Sequence, residues 1–321
     1  MSIRVYRELR DLEAEPMFGV VLAIGNFDGV HRGHQAIFAV GRQRARVVGS
    51  QMVAMMFEPH PATVLAPDRV PASLTPLDEK LRCLEAAGVD VAVVIEPRPE
   101  LLNCPAETFI RDVIVGRFRP IAMVEGDSFR FGQHRIGDVE MLAAAGKQFG
   151  FELFVVPPVR VDLGGQPDTV ISSSLIRHLL ASGTVDRAAE CLGRPYALLG
   201  RVTHGAARGR TLGFATANLT VESRQLIPAE GVYAGQTTID DRDYLAAVSI
   251  GHAPTFDGHE TIVEAHLLDF NGDLYDRPLR LELTAWLRPQ QKFESADALK
   301  HQIQADRDRI LARASNPTLE R

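Results

Sequence analysis

One short segment near the start of the chain has the side chains and the spacing of a phosphate site. It covers residues 25–34, Gly-Asn-Phe-Asp-Gly-Val-His-Arg-Gly-His. They follow an apolar run, residues 20–24, that predicts a buried strand. They precede an amphipathic stretch, residues 35–47, that predicts a helix. His31 and His34 are three residues apart, so their imidazoles share one face of the first helical turn. The pattern therefore predicts a strand, a glycine-rich turn and a helix that begins with two histidines.

The start of that helix is expected to bind an anion. The first backbone N–H groups of a helix have no partner within it, and glycines leave room for a phosphate to approach. The alternative is an ordinary strand–helix turn with surface histidines. Two histidines, two glycines and an aspartate in one turn favour the phosphate site. The expected contacts come from Gly25, Asn26, Phe27, Asp28, Gly29 and Gly33.

A second group of phosphate-binding side chains lies in residues 171–177, Ile-Ser-Ser-Ser-Leu-Ile-Arg. Ser172, Ser173 and a third serine stand at a predicted helix start, and Arg177 lies just inside. One serine alone would be explained as a helix cap. Three hydroxyls together with an arginine favour donors to a polyphosphate.

Residues 125–132, Glu-Gly-Asp-Ser-Phe-Arg-Phe-Gly, follow the fourth predicted strand. They are expected to reach the same edge of the sheet as the histidines. The alternative is a turn bounded by glycines whose two phenylalanines belong to the core.

A different glycine-rich loop occupies residues 205–218. It lacks the lysine followed by serine or threonine that defines a P-loop. The glycines alone would fit a flexible hairpin connection, but Thr216 and Asn218 supply two oxygen ligands that can help to hold Mg²⁺ on ATP. The expected nucleotide contacts in this loop are Gly205, Gly209, Arg210 and Gly213.

The elements that position these residues fall into two groups. Before about residue 185, predicted strands alternate with predicted helices, which indicates an α/β domain with a doubly wound parallel sheet. The predicted strands are residues 20–24, 52–57, 89–95, 121–124 and 151–156. Ligands of such sheets bind beyond the carboxyl ends of the strands, which is where residues 25–34 would lie.

The second group indicates a small antiparallel β-barrel followed by a terminal helix. Strands at close spacing without crossover helices favour a barrel, and residues 296–314 predict one amphipathic helix. The predicted strands are residues 198–203, 231–239, 244–250, 261–270 and 279–287. We therefore expect two domains, residues 1–185 and 186–321.

The composition and the net charge limit the classes of partner that the protein can have. The chain has 321 residues, a net charge of −6 and 45% hydrophobic residues, values typical of a soluble globular protein. The negative charge argues against nucleic acid or an anionic membrane as the main partner. No apolar run is long enough to span a bilayer, and the start of the chain has no signal-peptide pattern. Three scattered cysteines have no zinc or redox spacing and predict the cytoplasm.

The N-terminal half resembles the bacterial bifunctional riboflavin kinase/FAD synthetases. The resemblance rests on residues 25–34, 57–61, 126–132, Arg135, 137–138 and 171–177. His31 and His34 match the family's H-x-G-H motif. The resemblance implies a Rossmann-like nucleotidyltransferase domain that adenylylates FMN with ATP to give FAD and pyrophosphate. It also implies catalytic roles for the two histidines and Arg177, and flavin contacts from Asp127, Ser128 and Phe129.

The C-terminal half resembles the riboflavin kinases of the same family. Residues 213–218 match the signature G-F-P-T-A-N, in which the threonine and the asparagine bind the metal–nucleotide. The match continues at residues 231–235, 250–251, 254–256, 263–266, 269–270, 274–275, 287–288 and 292–293. The resemblance implies that Glu264 is the base for phosphorylation of riboflavin and that Arg288 contacts the flavin. The chain departs from the family pattern at Ser128, Ala215 and Ser249.

The leading hypothesis is one enzyme that converts riboflavin to FMN and FMN to FAD, with small-molecule substrates and Mg²⁺. One alternative is an enzyme with a single activity whose other half only binds flavin. Another is a flavin sensor or store without turnover, and a third is a different nucleotidyltransferase, such as a pantetheine-phosphate type, which explains only the first half. Oligomerisation is possible but is not indicated.

Overall fold

The structure is a computed structural model that describes residues 2–14, 17–203, 216–255 and 258–315. The chain divides into two compact units, Met1–Ser173 and Ser174–Arg321. The expected boundary at residue 185 divides the chain by its two predicted activities and not by compactness. It stays a prediction. No helix in the described ranges combines the length and the apolar character needed to cross a bilayer.

The first unit is built on a six-stranded parallel sheet, as the alternating pattern predicts. The strand order is β1-β4-β3-β2-β5-β6, and every neighbouring pair is parallel. The bounds are β1 (Arg4–Tyr6), β2 (Val21–Ile24), β3 (Met52–Phe57), β4 (Val91–Ile95), β5 (Ala122–Gly126) and β6 (Glu152–Val156). Strand β1 was not predicted. A two-stranded antiparallel hairpin follows, β7 (Arg160–Val161) and β8 (Thr169–Val170).

Helices connect these strands. They are α1 (Asp11–Ala14), α2 (Arg32–Val48), α3 (Ala62–Leu65), α4 (Leu77–Ala86), α5 (Pro99–Leu102), α6 (Ala106–Thr108) and α7 (Val139–Phe149), with 3₁₀ turns at Pro67–Arg69 and Gln133–Arg135. Helix α6 continues as a π-helix over Phe109–Phe118. Helix α2 begins three residues earlier than the predicted start at residue 35, so His34 lies within its first turn.

The core of the first unit has one layer on each face of the sheet. Leu22 and Met55 belong to one layer, and their neighbours Val21 and Ala54 belong to the other. Successive side chains of a strand point to opposite faces, and a parallel sheet covered on both faces buries both sets. This explains why the central strands are uninterrupted apolar runs in the sequence.

The strand order reverses direction between β2 and β5. The chain moves from β2 to β3 and β4 on one side, and β5 and β6 lie on the other. At such a switch point the connections leave the two strands in opposite directions and open a crevice beyond their carboxyl ends. The turn that carries the histidines follows β2 directly, so it borders this crevice.

The second unit contains a closed antiparallel barrel, which confirms the predicted class. Its strand order is β10-β13-β12-β11-β14-β9. The bounds are β9 (Tyr196–Thr203), β10 (Ala217–Val221), β11 (Gly231–Ile239), β12 (Arg242–Thr255), β13 (Gly258–Leu267) and β14 (Pro278–Arg288). The helices are α8 (Ser173–Ala181), which begins at the last residue of the first unit, α9 (Val185–Leu192) and the terminal α10 (Ala296–Ser315).

Alternation along the barrel strands separates two faces. On β13, Val263, Ala265 and Leu267 are buried, and the residues between them are partly exposed. Helix α10 packs on the outer face, where Ile310 joins a small apolar cluster with residues of β11 and β14. The outer face of the barrel is therefore available for polar side chains wherever the helix does not cover it.

Candidate active sites

The two predicted histidines form a stacked pair at the start of α2. His31 is the residue before the helix and has an extended backbone, with φ −70° and ψ 170°. The ring centroids of His31 and His34 are 3.6 Å apart, and the ring planes differ by 21°. A Cβ at Gly33 would lie 3.1 Å from the His31 ring, so glycine makes room for this stack. Phe27 meets His34 edge-on, with centroids 5.4 Å apart.

Burial sets the charge of His34. It lowers the pKa of the imidazole well below its ordinary value, and His31 and Lys80 lower it further by charge repulsion. The Nδ1 atom of His34 is buried and has no hydrogen-bond partner among the described residues. A neutral ring with an unpaired nitrogen beside a helix N-terminus is prepared to receive a ligand that supplies negative charge.

Asp28 and Gly29 hold the turn in shape. The Asp28 carboxylate accepts hydrogen bonds from the backbone N–H groups of Leu74, at 3.0 Å, and Thr75, at 3.1 Å. The Gly29 N–H donates to the Thr75 hydroxyl at 3.1 Å, and Gly29 has φ +85°. The backbone oxygen of Asp28 accepts from Ser173 at 2.8 Å. These contacts anchor the turn to two segments that are distant in the sequence. Asp28 therefore holds the turn in its conformation and does not line the cavity itself.

Asn26 is oriented by His60. The backbone N–H of Ala62 donates to Nδ1 of His60 at 3.1 Å, so the neutral ring carries its hydrogen on Nε2. Nε2 lies 3.2 Å from Nδ2 of Asn26. Two N–H groups cannot bond to each other, so the contact is satisfied when the amide is turned over, with its oxygen toward His60 and its NH₂ group away from it.

The predicted parts of the first site meet around one cavity. It has a volume of about 350 Å³ and lies at the carboxyl ends of β2 and β5. Its lining includes ten of the predicted residues, namely Gly25, Phe27, His31, Gly33, His34, Asp127, Ser128, Phe129, Ser172 and Ser173. The structure thus brings the histidine turn (residues 25–34), the flavin segment (residues 127–129) and the serines together. Asn26, Asp28 and Gly29 do not line this cavity, and Arg177 lies on α8 in the second unit.

Glu125 was not among the predicted site residues, although it lines the same cavity. The residue is 1% exposed. Its Oε1 atom accepts a hydrogen bond of 2.8 Å from the backbone N–H of Ile24. Burial raises the pKa of its carboxyl well above the ordinary value, and the bond from Ile24 only partly opposes this. The one signal in the sequence is an acidic residue within an apolar strand.

In the second unit, Asn218 and Glu264 lie directly opposite each other. They form a cross-strand pair between β10 and β13. Ser249 on β12 is the partner of Glu264 on its other side. Opposite residues of antiparallel strands point to the same face, with Cβ atoms about 5 Å apart. The flanking residues Val263 and Ala265 are buried, so this polar row is on the outer face of the barrel.

Thr216 lines a separate cavity of about 480 Å³. The cavity is bordered by Ala217 and Ala265 of the barrel and by residues 270–275. Thr216 precedes Asn218 by two positions in the chain. The other predicted residues of this loop, Gly205, Gly209, Arg210 and Gly213, lie outside the described residues, as does Ala215.

Arg288 is already paired. Its Nε and Nη2 atoms donate to the Asp306 carboxylate of α10 at 3.0 and 2.8 Å. The side chains are 13% and 3% exposed, and Gln302 donates to the same carboxylate at 2.9 Å. Phe293 lies against the guanidinium, 5.9 Å from its carbon to the ring centroid. Arg288 therefore fastens the terminal helix beside the polar row, and its predicted flavin contact stays a prediction.

Both halves match models of protein families. Residues 14–174 match the FAD synthetase family, and residues 192–313 match the riboflavin kinase family. The bifunctional riboflavin kinase/FMN adenylyltransferase of Escherichia coli K12 is 38% identical over 97% of this chain and 97% of its own length. The protein of the same name from Bacillus subtilis is 33% identical over 92% of this chain and 93% of its own length.

A solved structure from Streptococcus pneumoniae has the same fold along nearly the whole chain. Its TM-score is 0.85, its identity is 31%, and the match covers 95% of this chain and 98% of that one. That structure carries the name of a macrolide-efflux protein, whereas the family models and the curated relatives name flavin enzymes. Two family models and full-length relatives thus agree: the chain belongs to the bifunctional riboflavin kinase/FMN adenylyltransferase family.

Proposed function

We propose that residues 1–185 transfer the AMP moiety of ATP to FMN, with FAD and pyrophosphate as products. One observation carries this proposal. The stacked histidines, Ser172, Ser173 and the flavin segment line a single cavity at the switch point of the sheet. A reaction that joins two phosphate-bearing molecules needs donors for both of them in one place.

The chemistry of this transfer suits the residues present. An FMN phosphate oxygen forms a bond to the α-phosphorus of ATP, and the bond from that phosphorus to the oxygen bridging to the β-phosphorus breaks. The nucleophile is already an anion, so no carboxylate base is required. His31, His34 and the serine hydroxyls serve to position the phosphates and to stabilise charge on the leaving pyrophosphate. We assign Arg177 the same task from its place in the serine–arginine motif.

Residues 186–321 are proposed to phosphorylate riboflavin. The ribityl hydroxyl forms a bond to the γ-phosphorus of ATP, the bond from that phosphorus to the β,γ-bridging oxygen breaks, and ADP leaves. The nucleophile is a neutral hydroxyl, so a base helps by accepting its proton. Glu264 is the candidate, because it lies in the polar row with Asn218 and Ser249 on the outer face of the barrel.

The oxygen donors of Thr216 and Asn218 fit Mg²⁺. A threonine hydroxyl and an asparagine amide oxygen are hard oxygen ligands, which Mg²⁺ prefers together with phosphate oxygens and water. The described residues hold no group of three or more histidine, cysteine or acidic side chains that could cage a metal without a nucleotide. We infer that Thr216 and Asn218 hold the ion together with the ATP phosphates. The ion supplies charge neutralisation at the transferred phosphate.

The test is one incubation of the protein with riboflavin, ATP and Mg²⁺, followed by separation of the flavins. The proposal expects FMN to appear first and FAD to follow, with one pyrophosphate released for each FAD. FMN that never becomes FAD, or FAD formed only from supplied FMN, would assign the chain a single activity. If the protein binds flavin but forms neither FMN nor FAD, it is a flavin-binding module without enzymatic activity. The proposed location is the cytoplasm, and the test is fractionation of cells that express a tagged chain.

A further inference from the structure

The side chain of Glu125 bridges β2 and β5 where their backbones separate. The ladder between these strands pairs Val21 with Ala122 and Leu22 with Met123. Beyond that point β5 continues to pair with β6 as far as Gly126. The N–H of Ile24 donates to the Glu125 side chain at 2.8 Å. The Glu125 side chain thus provides a hydrogen bond between β2 and β5 where their backbone hydrogen bonds have ended, at the opening of the crevice.

The two ends of this bridge lead directly into the two halves of the first site. Ile24 is followed by Gly25 and the histidine turn, and Glu125 is followed by Gly126 and the flavin segment. Ile24, Gly25, Glu125 and Gly126 all border the same cavity, and Glu125 is 1% exposed at its wall. A shift of this bond would therefore change the separation between the two proposed substrate sites.

We propose that Glu125 is a positioning residue for adenylyl transfer, holding the histidine turn at a fixed distance from the flavin segment through its bond to Ile24. This inference rests on the proposed function of the first unit. Displacement of reacting groups by about 1 Å can cost about 100-fold in rate. A side chain that spans the crevice therefore has a large effect without touching either substrate.

The bridge works in its neutral form. Burial favours the neutral carboxyl, because it raises its pKa well above the ordinary value. Ionisation would put a negative charge in the wall of a cavity that must accept phosphates. The titratable groups that border this cavity are His31 and His34 at the start of α2 and the exposed Asp127 after β5, whereas β6 contributes the apolar Val156. The reaction is therefore expected to weaken as the pH rises through the raised pKa of Glu125 and the residue loses its proton.

The experiment compares Glu125→Gln and Glu125→Ala with the wild-type protein and with a matched control. Glutamine keeps an oxygen for the Ile24 N–H and stays neutral at every pH, whereas alanine removes the bridge. Glu140→Gln, at an exposed position on α7, controls for the loss of one acidic residue. The readouts are kcat and the KM for ATP in FAD formation from about pH 6 to about pH 9, and the ratio kcat/KM reports ionisations of the free enzyme. Riboflavin phosphorylation by each sample reports an intact second unit.

The alanine variant is expected to lose about 10-fold to 100-fold in kcat for FAD formation, with a smaller change in the KM for ATP. The glutamine variant is expected to recover most of that loss and to lack the alkaline decline of the wild-type protein. Wild-type kcat in the alanine variant would overturn the proposal. So would an alkaline decline in the glutamine variant equal to that of the wild-type protein.

Melting curves supply a second readout that needs no FAD formation. The native state keeps the Glu125 proton at pH values where the unfolded chain has lost it, so this residue stabilises the protein less as pH rises toward its folded pKa. The melting temperature of Glu125→Gln minus that of the wild-type protein should therefore increase from pH 4 to neutral pH. If this difference in melting temperature does not change with pH, Glu125 is not neutral in the folded protein and the proposed neutral bridge is wrong.

If the wild-type protein makes no FAD, the proposed function is refuted. The pH dependence of the difference in melting temperature would still show whether Glu125 is neutral in the folded protein. If the alanine variant does not fold, the comparison of glutamine with the wild-type protein decides alone.

Discussion

Asn218 and Glu264 face each other across neighbouring antiparallel strands, so a metal-ligand candidate and a base candidate share one face of the barrel. Glu264→Gln keeps the size of the side chain and removes its ability to accept a proton. We expect riboflavin phosphorylation to fall by about 100-fold or more, with formation of FAD from supplied FMN maintained. Glu222→Gln, an exposed change just after β10, is the matched control. Near-normal phosphorylation in Glu264→Gln would remove this residue from the mechanism.

The stacked histidines should be needed for the other reaction alone. His31→Ala or His34→Ala is expected to cost about 3 kcal/mol of transition-state stabilisation, by analogy with other preorganised donors. FAD formation from FMN and ATP should then be nearly abolished, and FMN formation from riboflavin should continue. Flavin products separated after a fixed time measure both. A wild-type rate of FAD formation in both variants would refute the assignment.

ATP binding should be coupled to proton uptake at His34. The free ring is neutral near neutral pH, because burial and neighbouring positive charge lower its pKa well below the usual value. A bound triphosphate favours the charged form and raises that pKa, so a proton enters with the ligand. The heat of ATP binding near pH 6.5 should therefore depend on the ionisation enthalpy of the buffer. His34→Asn should reduce this dependence, and an equal dependence in both proteins would contradict the prediction.

Asp28→Ala should disrupt the histidine turn by removing the hydrogen bonds that hold it. It leaves the buried N–H groups of Leu74 and Thr75 without their acceptor. Buried unpaired donors cost about 1–3 kcal/mol each, so we expect the free energy of unfolding of the first unit to decrease by about 3 kcal/mol. Chemical denaturation measures this change. Asp68→Ala, at an exposed site in the same region, should have little effect, and equal effects of the two changes would contradict this role.

Arg288→Lys should loosen the terminal helix. Lysine keeps the charge but cannot form the two-point contact with the buried carboxylate of Asp306. We expect the second unit to lose about 2 kcal/mol of stability, less than removal of one buried partner costs. Its melting transition and the KM for riboflavin report the two effects. An unaltered transition would indicate that the ion pair does not hold the helix.

Local patterns predicted most of the fold. The run Met52–Phe57 was predicted as a strand because a parallel sheet buries both faces, which makes the strand apolar throughout. Strand Arg4–Tyr6 was missed because three residues carry no periodicity, and its position depends on pairing with β4. Strand Ala217–Val221 was missed because the glycine-rich loop before it dominated the pattern. The π-helix at Phe109–Phe118 has the same local sequence signal as an α-helix.

The candidate site could be predicted where one segment carries the chemistry. His31 and His34 were found from their spacing, and the structure adds their stacking. The role of Asp28 in shaping the turn depends on partners 46 and 47 residues away, which no local pattern reveals. Glu125 could not be identified for the same reason, since its bond to Ile24 spans 101 residues. Its raised pKa depends on its burial, which no local pattern reveals.

Along β13, buried residues that maintain the barrel alternate with the residues proposed to do chemistry. Val263 and Ala265 face inward, and Glu264 between them faces outward. Substitutions that fill or empty the interior therefore change the tolerance of the protein to heat, whereas substitutions one position away change turnover. The two properties can be altered separately in the laboratory, and selection can act on each with little effect on the other.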